Sequence, residues 1–233
     1  MRTREAKSGP KPLTVVAYGD SWTYGSVAGG WQEAKLAGYD WELIHGSWFS
    51  QIKRWLTQHN PETIVYNQGM PGWKSYQGRE RFEQLVAALE PDVLLLNFGI
   101  NDWTNKIPLS VYRSAMDEMM RESKRIGCEC VVWTSGPVAS AGGESYGYGK
   151  PLEDSGFPHR FDEYNDTLRS LAAERRVVPA DAERVIRNLW ENGTDLAGWF
   201  YDATHLTQQG HDLIFQCVRE RLMQIRRVNM SIK

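Results

Sequence analysis

A serine stands three residues past the apolar run 13–18, in Tyr18-Gly19-Asp20-Ser21, and near the far end of the chain lies Asp202-Ala203-Thr204-His205. Together the two clusters hold a hydroxyl nucleophile, an imidazole base and a carboxylate, the set that acyl transfer requires. A serine hydroxyl is a weak nucleophile at neutral pH, so His205 is read as the group that removes its proton. Asp202 precedes the histidine by three residues. One helical turn or tight loop would bring its carboxylate onto the imidazole and fix the tautomer.

Two further clusters could stabilise the oxyanion of a tetrahedral intermediate. They are Asn67-Gln68-Gly69 and Gly99-Ile100-Asn101-Asp102. The candidate donors are the amide N–H groups of Ser21 and Gly69 and the side-chain amide of Asn101. Each also fits a structural role: Gly69 as a turn glycine, Asn101 as a cap, Asp202 as a helix cap beside a surface histidine. Asp20 and Asp102 read as scaffold, holding their loops through backbone N–H groups. Trp22, Trp73 and Trp103 each follow one of these clusters by no more than four residues. Their indoles form an aromatic rim for substrate or pack beneath the loops.

Positioning these groups requires a frame that brings distant turns together. Strand-length apolar runs occur at 13–18, 63–67, 92–98 and 128–134, with a short remnant at 177–178. Stretches of helical period alternate with them. Trp48, Ile52, Trp55 and Leu56 make one stripe, with Ser47 as N-cap. Phe82, Leu85, Val86 and Leu89 make another, stopped by Pro91, and Tyr112, Ala115, Met116 and Met119 a third, ended by Gly127. Phe161, Tyr164, Leu168 and Leu171 follow, then Ala182, Val185, Ile186 and Leu189, and a last helix begins near Thr207.

This alternation predicts an α/β fold, a three-layer α/β/α sandwich on a parallel five-stranded sheet. Ligands of such sheets bind beyond the carboxyl ends of the strands, where the first three strands deliver Ser21, Gly69 and Asn101. Two long glycine-rich stretches, 25–46 and 136–158, read as functional loops. Their Trp31, Trp41, Tyr146 and Tyr148 extend the aromatic rim or form a lid.

In this order and spacing the four clusters resemble the conserved blocks of the SGNH (GDSL-type) hydrolases. The blocks are Gly-Asp-Ser, a glycine after the second strand, Gly-x-Asn-Asp and Asp-x-x-His, and the likeness covers roughly residues 13–225. The resemblance implies a flavodoxin-like fold and a serine esterase that needs neither metal nor cofactor. It makes Ser21, Gly69, Asn101 and His205 the four eponymous groups and Asp202 the triad acid. Trp22 departs from the leucine common after the nucleophile, which leaves the shape of the pocket open. The Gly-x-Ser-x-Gly elbow of the α/β-hydrolases is missing, since the chain reads Gly19-Asp20-Ser21-Trp22-Thr23.

Composition narrows the partners. The 233 residues suffice for one large domain, and 27 basic against 29 acidic residues give no electrostatic case for nucleic acid or an anionic membrane. Three cysteines argue against a disulfide scaffold, and Cys128 and Cys130, two apart on a strand, lack the geometry for a mutual bridge. No secretory apolar segment and no span of about 20 apolar residues is present, so the expectation is a soluble cytoplasmic protein. The expected layout is a flexible segment at 1–12, a single hydrolase domain at 13–228 and a tail at 229–233. Oligomeric state stays open, a homo-oligomer included.

The leading functional expectation is a carboxylic ester hydrolase for small acyl groups, with O-acetylated carbohydrates favoured by the aromatic, polar loops. A short-chain acyl or thioester hydrolase is next. From other classes, a metal-dependent phosphoesterase would use Asp20, Asn101, Asp102, Asp202 and His205 as ligands, and a binding domain would keep the fold without turnover.

Overall fold

The computed structural model describes residues 12–136, 158–202 and 204–232. The N-terminal segment therefore lies almost wholly outside the described residues, as do Tyr146 and Tyr148.

Among the described residues four parallel strands make the sheet: β1 (Thr14–Gly19), β2 (Ile64–Gly69), β3 (Val93–Asn97) and β4 (Glu129–Val132), in the order β2-β1-β3-β4. Every residue of β1 and β3 is buried, because both strands are flanked by neighbours and covered on both faces. β2 is the edge, and its Ile64 is 41% exposed. The expected fifth strand at 177–178 is reduced to one parallel bridge, Trp133 to Ala180. The reason is local. Val177 N–H still closes the preceding helix on Ala172, Val178 is 56% exposed, and Pro179 has no N–H to give. Pairing begins only where Ala180 donates to Val132 and accepts from Thr134.

The chain steps from β1 to β2 on one side and then returns past β1 to β3 on the other. The carboxyl ends of β1 and β3 thus form the switch point of the sheet, where an open α/β fold leaves a crevice. In chain order the helices are α1 (Ser21–Tyr24), α2 (Trp31–Leu36), α3 (Trp48–His59), α4 (Ser75–Leu85), α5 (Ile100–Thr104) and α6 (Leu109–Arg125). They continue with α7 (Phe161–Arg175), α8 (Ala182–Glu191), α9 (Gln208–Leu222) and α10 (Arg226–Ser231). α4, α6 and α7 pack on one another, while α9 packs on α3 and α8, which gives a layer on either side of the sheet.

Ser47 caps α3 by accepting from Ser50 N–H, as its type and position suggest. The 82–89 stripe is less regular: α4 ends at Leu85, and a single 3₁₀ turn, Ala87–Leu89, carries the chain toward Pro91. The final helix, α10, spans the boundary drawn at residue 228 and buries Val228. All three cysteines are free; burial holds the Cys128 thiol well above its ordinary range and pushes that of Cys130 up to about 12. Among the described residues no helix is long and apolar enough to cross a membrane.

Candidate active site

β1 ends at Gly19, and the next residue turns the chain into α1. Asp20 is its N-cap, with Oδ1 accepting the Trp22 N–H at 2.9 Å, so Ser21 occupies the first helical position. A first-turn amide has no intrahelical acceptor. Among the described residues nothing takes the Ser21 N–H.

The hydroxyl of Ser21 lies 3.0 Å from His205 Nε2 across 184 residues of chain. On the other side of the ring, Nδ1 lies 2.9 Å from Asp202 Oδ2 and 3.2 Å from Oδ1. The turn between acid and base is itself held by the acid, since Asp202 Oδ1 accepts the N–H groups of Thr204 and His205 at 2.8 and 2.7 Å. Burial works against the Asp202 charge, but the His205 ring and these two N–H groups outweigh it and hold the carboxyl well below its usual range. The structure therefore brings the serine, histidine and aspartate side chains into one continuous chain of contacts. An ionised acid on Nδ1 selects the tautomer whose Nε2 can accept the serine proton.

Gly69 is placed differently from expectation. Its N–H is committed to Asn67 Oδ1 at 2.9 Å and is not aimed at a substrate oxygen. The glycine is needed for another reason: a Cβ here would lie 2.2 Å from Tyr24 N and 2.6 Å from Tyr24 Cα, inside the backbone of α1. The backbone that approaches closely is the nucleophile's own helix. Asn67 completes the joint, with Nδ2 donating to the Thr23 carbonyl at 3.1 Å. Asn67 and Gly69 both lie at the end of β2, where the asparagine side chain accepts the amide two residues on.

Three residues on, Gly72 is exposed with φ +82°, a conformation suited to glycine, and among the described residues nothing accepts its N–H. Asn101 reaches the same loop: its Nδ2 donates to the Trp73 carbonyl at 3.1 Å, leaving the second hydrogen of that amide for another acceptor. Asp102 behaves as scaffold, binding the Ser75 N–H at 3.0 Å and the Ser75 hydroxyl at 2.6 Å and so pinning α5 to the start of α4. Burial raises the Asp102 carboxyl to about 6, against the pull of those Ser75 bonds. Burial also lifts Asp20, whose Oδ2 has no partner, to about 7.

The three indoles separate. Trp22 is 2% exposed and belongs to the core, near enough to Gly136 that a Cβ there would meet its ring at 3.0 Å. It is packing and not rim. Trp103 packs its ring against Phe161 and donates Nε1–H to the His159 carbonyl, tying α5 to the start of α7. Trp73 is half-buried in the loop that holds Gly72. His211 is buried and uncharged, with its Nε2 at 3.1 Å from the Ser26 carbonyl and its ionisation pushed down to about 4 by burial.

Residues 17–213 match the family of GDSL-like lipases and acylhydrolases. The chain belongs to that family. An arylesterase from Vibrio mimicus is 30% identical over 96 residues, which is 41% of this chain and 48% of that protein, so the match spans about half of the relative's length. A solved alpha/beta hydrolase from the metagenome of Lake Arreo, Spain, superposes with a TM-score of 0.69 at 18% identity, covering 90% of this chain and 94% of the other. An acetylxylan esterase of Geobacillus stearothermophilus gives 0.69 at 16% identity, covering 90% and 93%. At such identities the structures speak for the fold alone, and family membership is what supports a serine ester hydrolase.

Proposed function

We propose that this protein hydrolyses carboxylic esters of small acyl groups through an acyl-serine intermediate, with acetyl esters of carbohydrates as the favoured substrates. The observation that carries the reading is the unbroken relay from Ser21 Oγ through His205 to Asp202, at 3.0 and 2.9 Å. In the first half-reaction His205 Nε2 takes the Ser21 proton as Oγ attacks the ester carbonyl. Asp202 stabilises the imidazolium, and the same nitrogen then protonates the departing alcohol. Water repeats the sequence on the acyl-serine and releases the acid.

The tetrahedral oxygen is held by the Ser21 N–H, the free hydrogen of Asn101 Nδ2 and the Gly72 N–H. Gly72 replaces Gly69 in that role because the Gly69 amide already has an acceptor. The acetyl preference draws on the acetylxylan esterase relative, solved as catalytic mutants in which a serine or a histidine becomes alanine. The metal-dependent phosphoesterase reading is weaker, since Asp102 is committed to Ser75 and Asp202 to its own turn and to His205. No cofactor enters the mechanism.

The test compares wild type with Ser21→Ala on acetyl, butyryl and octanoyl aryl esters, acetylated xylo-oligosaccharides and acetyl thioesters, alongside labelling by a serine-directed phosphonate. The expected result is labelling of Ser21, turnover that falls with acyl length, and loss of both in the variant. Full turnover by Ser21→Ala overturns the mechanism, and preference for octanoyl esters or thioesters overturns the substrate class. No turnover and no label would make the protein a binding domain.

A further inference from the structure

The turn that carries His205 presents one more exposed side chain. Phe200 and Leu206 form an isolated antiparallel bridge, and the Tyr201 N–H donates to the His205 carbonyl at 2.9 Å. Phe200 and Leu206 point inward, at 7% and 1% exposure. Side chains alternate faces along paired extended segments. The next pair, Tyr201 and His205, therefore shares the outer face, and the Tyr201 ring is 61% exposed there.

That ring is braced from the other end of the chain. Trp31 meets it edge-to-face, with centroids 6.2 Å apart and planes at 73°. The Lys35 ammonium lies over the Trp31 ring at 4.4 Å from its centroid, and of the two rings Tyr201 is the exposed one while Trp31 is half-buried. The segment carrying Trp31 is fixed against α9. Gln208 accepts the Gly29 N–H at 3.1 Å and donates to the Gly46 carbonyl at 2.8 Å, and Gln51 donates to the same carbonyl. An exposed ring held this firmly on the turn that carries His205 is a ready-made surface for a flat ligand.

We infer that Tyr201, braced by Trp31, is a stacking shelf for the ring of the ester's alcohol part, receiving the C–H face of a pyranose while its acetyl group reaches Ser21. The inference rests on the esterase reading for the acetyl position but concerns the sugar. It makes Tyr201 a specificity residue that favours ring-bearing alcohols over short aliphatic ones.

Two assays separate the two claims. In the first, kcat/KM is measured on acetylated xylo-oligosaccharides and on ethyl acetate for wild type, Tyr201→Ala, Tyr201→Phe and Trp31→Ala. Losing one stacking partner should lower the ratio of the two values about tenfold in Tyr201→Ala. Tyr201→Phe keeps the ring and should keep the ratio within twofold. In the second, calorimetry follows a deacetylated xylo-oligosaccharide binding to Ser21→Ala with and without Tyr201→Ala, with affinity expected to fall about tenfold. Equal ratios, equal affinities, or no sugar binding to Ser21→Ala overturns the shelf. If wild type cleaves no ester, the esterase reading falls while calorimetry still decides the shelf.

Discussion

Gly69→Ala puts the joint beneath the nucleophile to its most direct test. A Cβ at residue 69 would lie 2.2 Å from Tyr24 N, 2.6 Å from Tyr24 Cα and 2.7 Å from the Thr23 carbonyl carbon. All three are backbone atoms, so no side chain can swing aside. Ordinary contact begins near 3.4 Å, which requires α1 to retreat by about 1.2 Å from β2. Overpacking of this kind destabilises by about 1–3 kcal/mol. For a domain of this size that lowers the melting temperature by about 2–12 °C. The same retreat displaces Ser21 from His205, now 3.0 Å away, and an error near 1 Å in a reacting group lowers the rate about 10²-fold. Circular dichroism and kcat on aryl acetate measure both effects. Gly72→Ala is the comparison: its Cβ meets nothing within 4 Å, and only the left-handed φ is strained, by about 1–2 kcal/mol. Gly69→Ala should lose far more rate than Gly72→Ala for a comparable loss of stability. Wild-type turnover and melting in Gly69→Ala would refute the close-approach argument.

Asp202→Asn should lower kcat about 10⁴-fold with little change in KM, because the asparagine favours the wrong imidazole tautomer; a loss below tenfold would remove Asp202 from the relay. Asn101→Ala should lower kcat about 10²–10³-fold and leave KM within a few-fold, and an effect confined to KM would assign Asn101 to binding instead. Asp20 and Asp102 are raised by burial to about 7 and about 6, so the folded protein holds protons that the unfolded chain has released. Stability must therefore decline as pH rises from about 4 through 7, by up to about 1.4 kcal/mol per pH unit for each group. Thermal melts of Asp20→Asn between pH 4 and 8 should decline less steeply than those of wild type, and parallel curves would contradict the assignment.

The strands that carry the site were legible because a buried parallel strand is an apolar run with a polar end, and 13–18 and 92–98 read that way without ambiguity. The meeting of Asp202 and His205 was legible because three residues of separation let one tight turn bring the carboxylate onto the imidazole, and that of Ser21 and His205 only through the resemblance of the four clusters taken together. Gly69 shows where such reading stops: a glycine beside an active site looks the same in sequence whether it faces a substrate or a helix. Only the positions of Tyr24 and Asn67 distinguish the two. Trp22 stayed open between rim and packing for a related cause, since its nearness to Ser21 in sequence says nothing of which face of a four-residue helix it occupies. The fifth strand was overread because two valines are apolar enough for a strand, yet the helix before them and the proline after them take away their pairing. Tyr201 gave no sequence signal at all. Its place follows from a bridge between residues 200 and 206 that no short-range pattern announces.

Gln208 and Gln51 grip the Gly46 carbonyl, His211 reaches Ser26, and Asn60 reaches Ser231, so the stretch 26–60 is stitched to the stretch 208–231 by side chains. Ser21 and His205 lie 184 residues apart in the chain, so a fragment that ends between them contains only one of the pair.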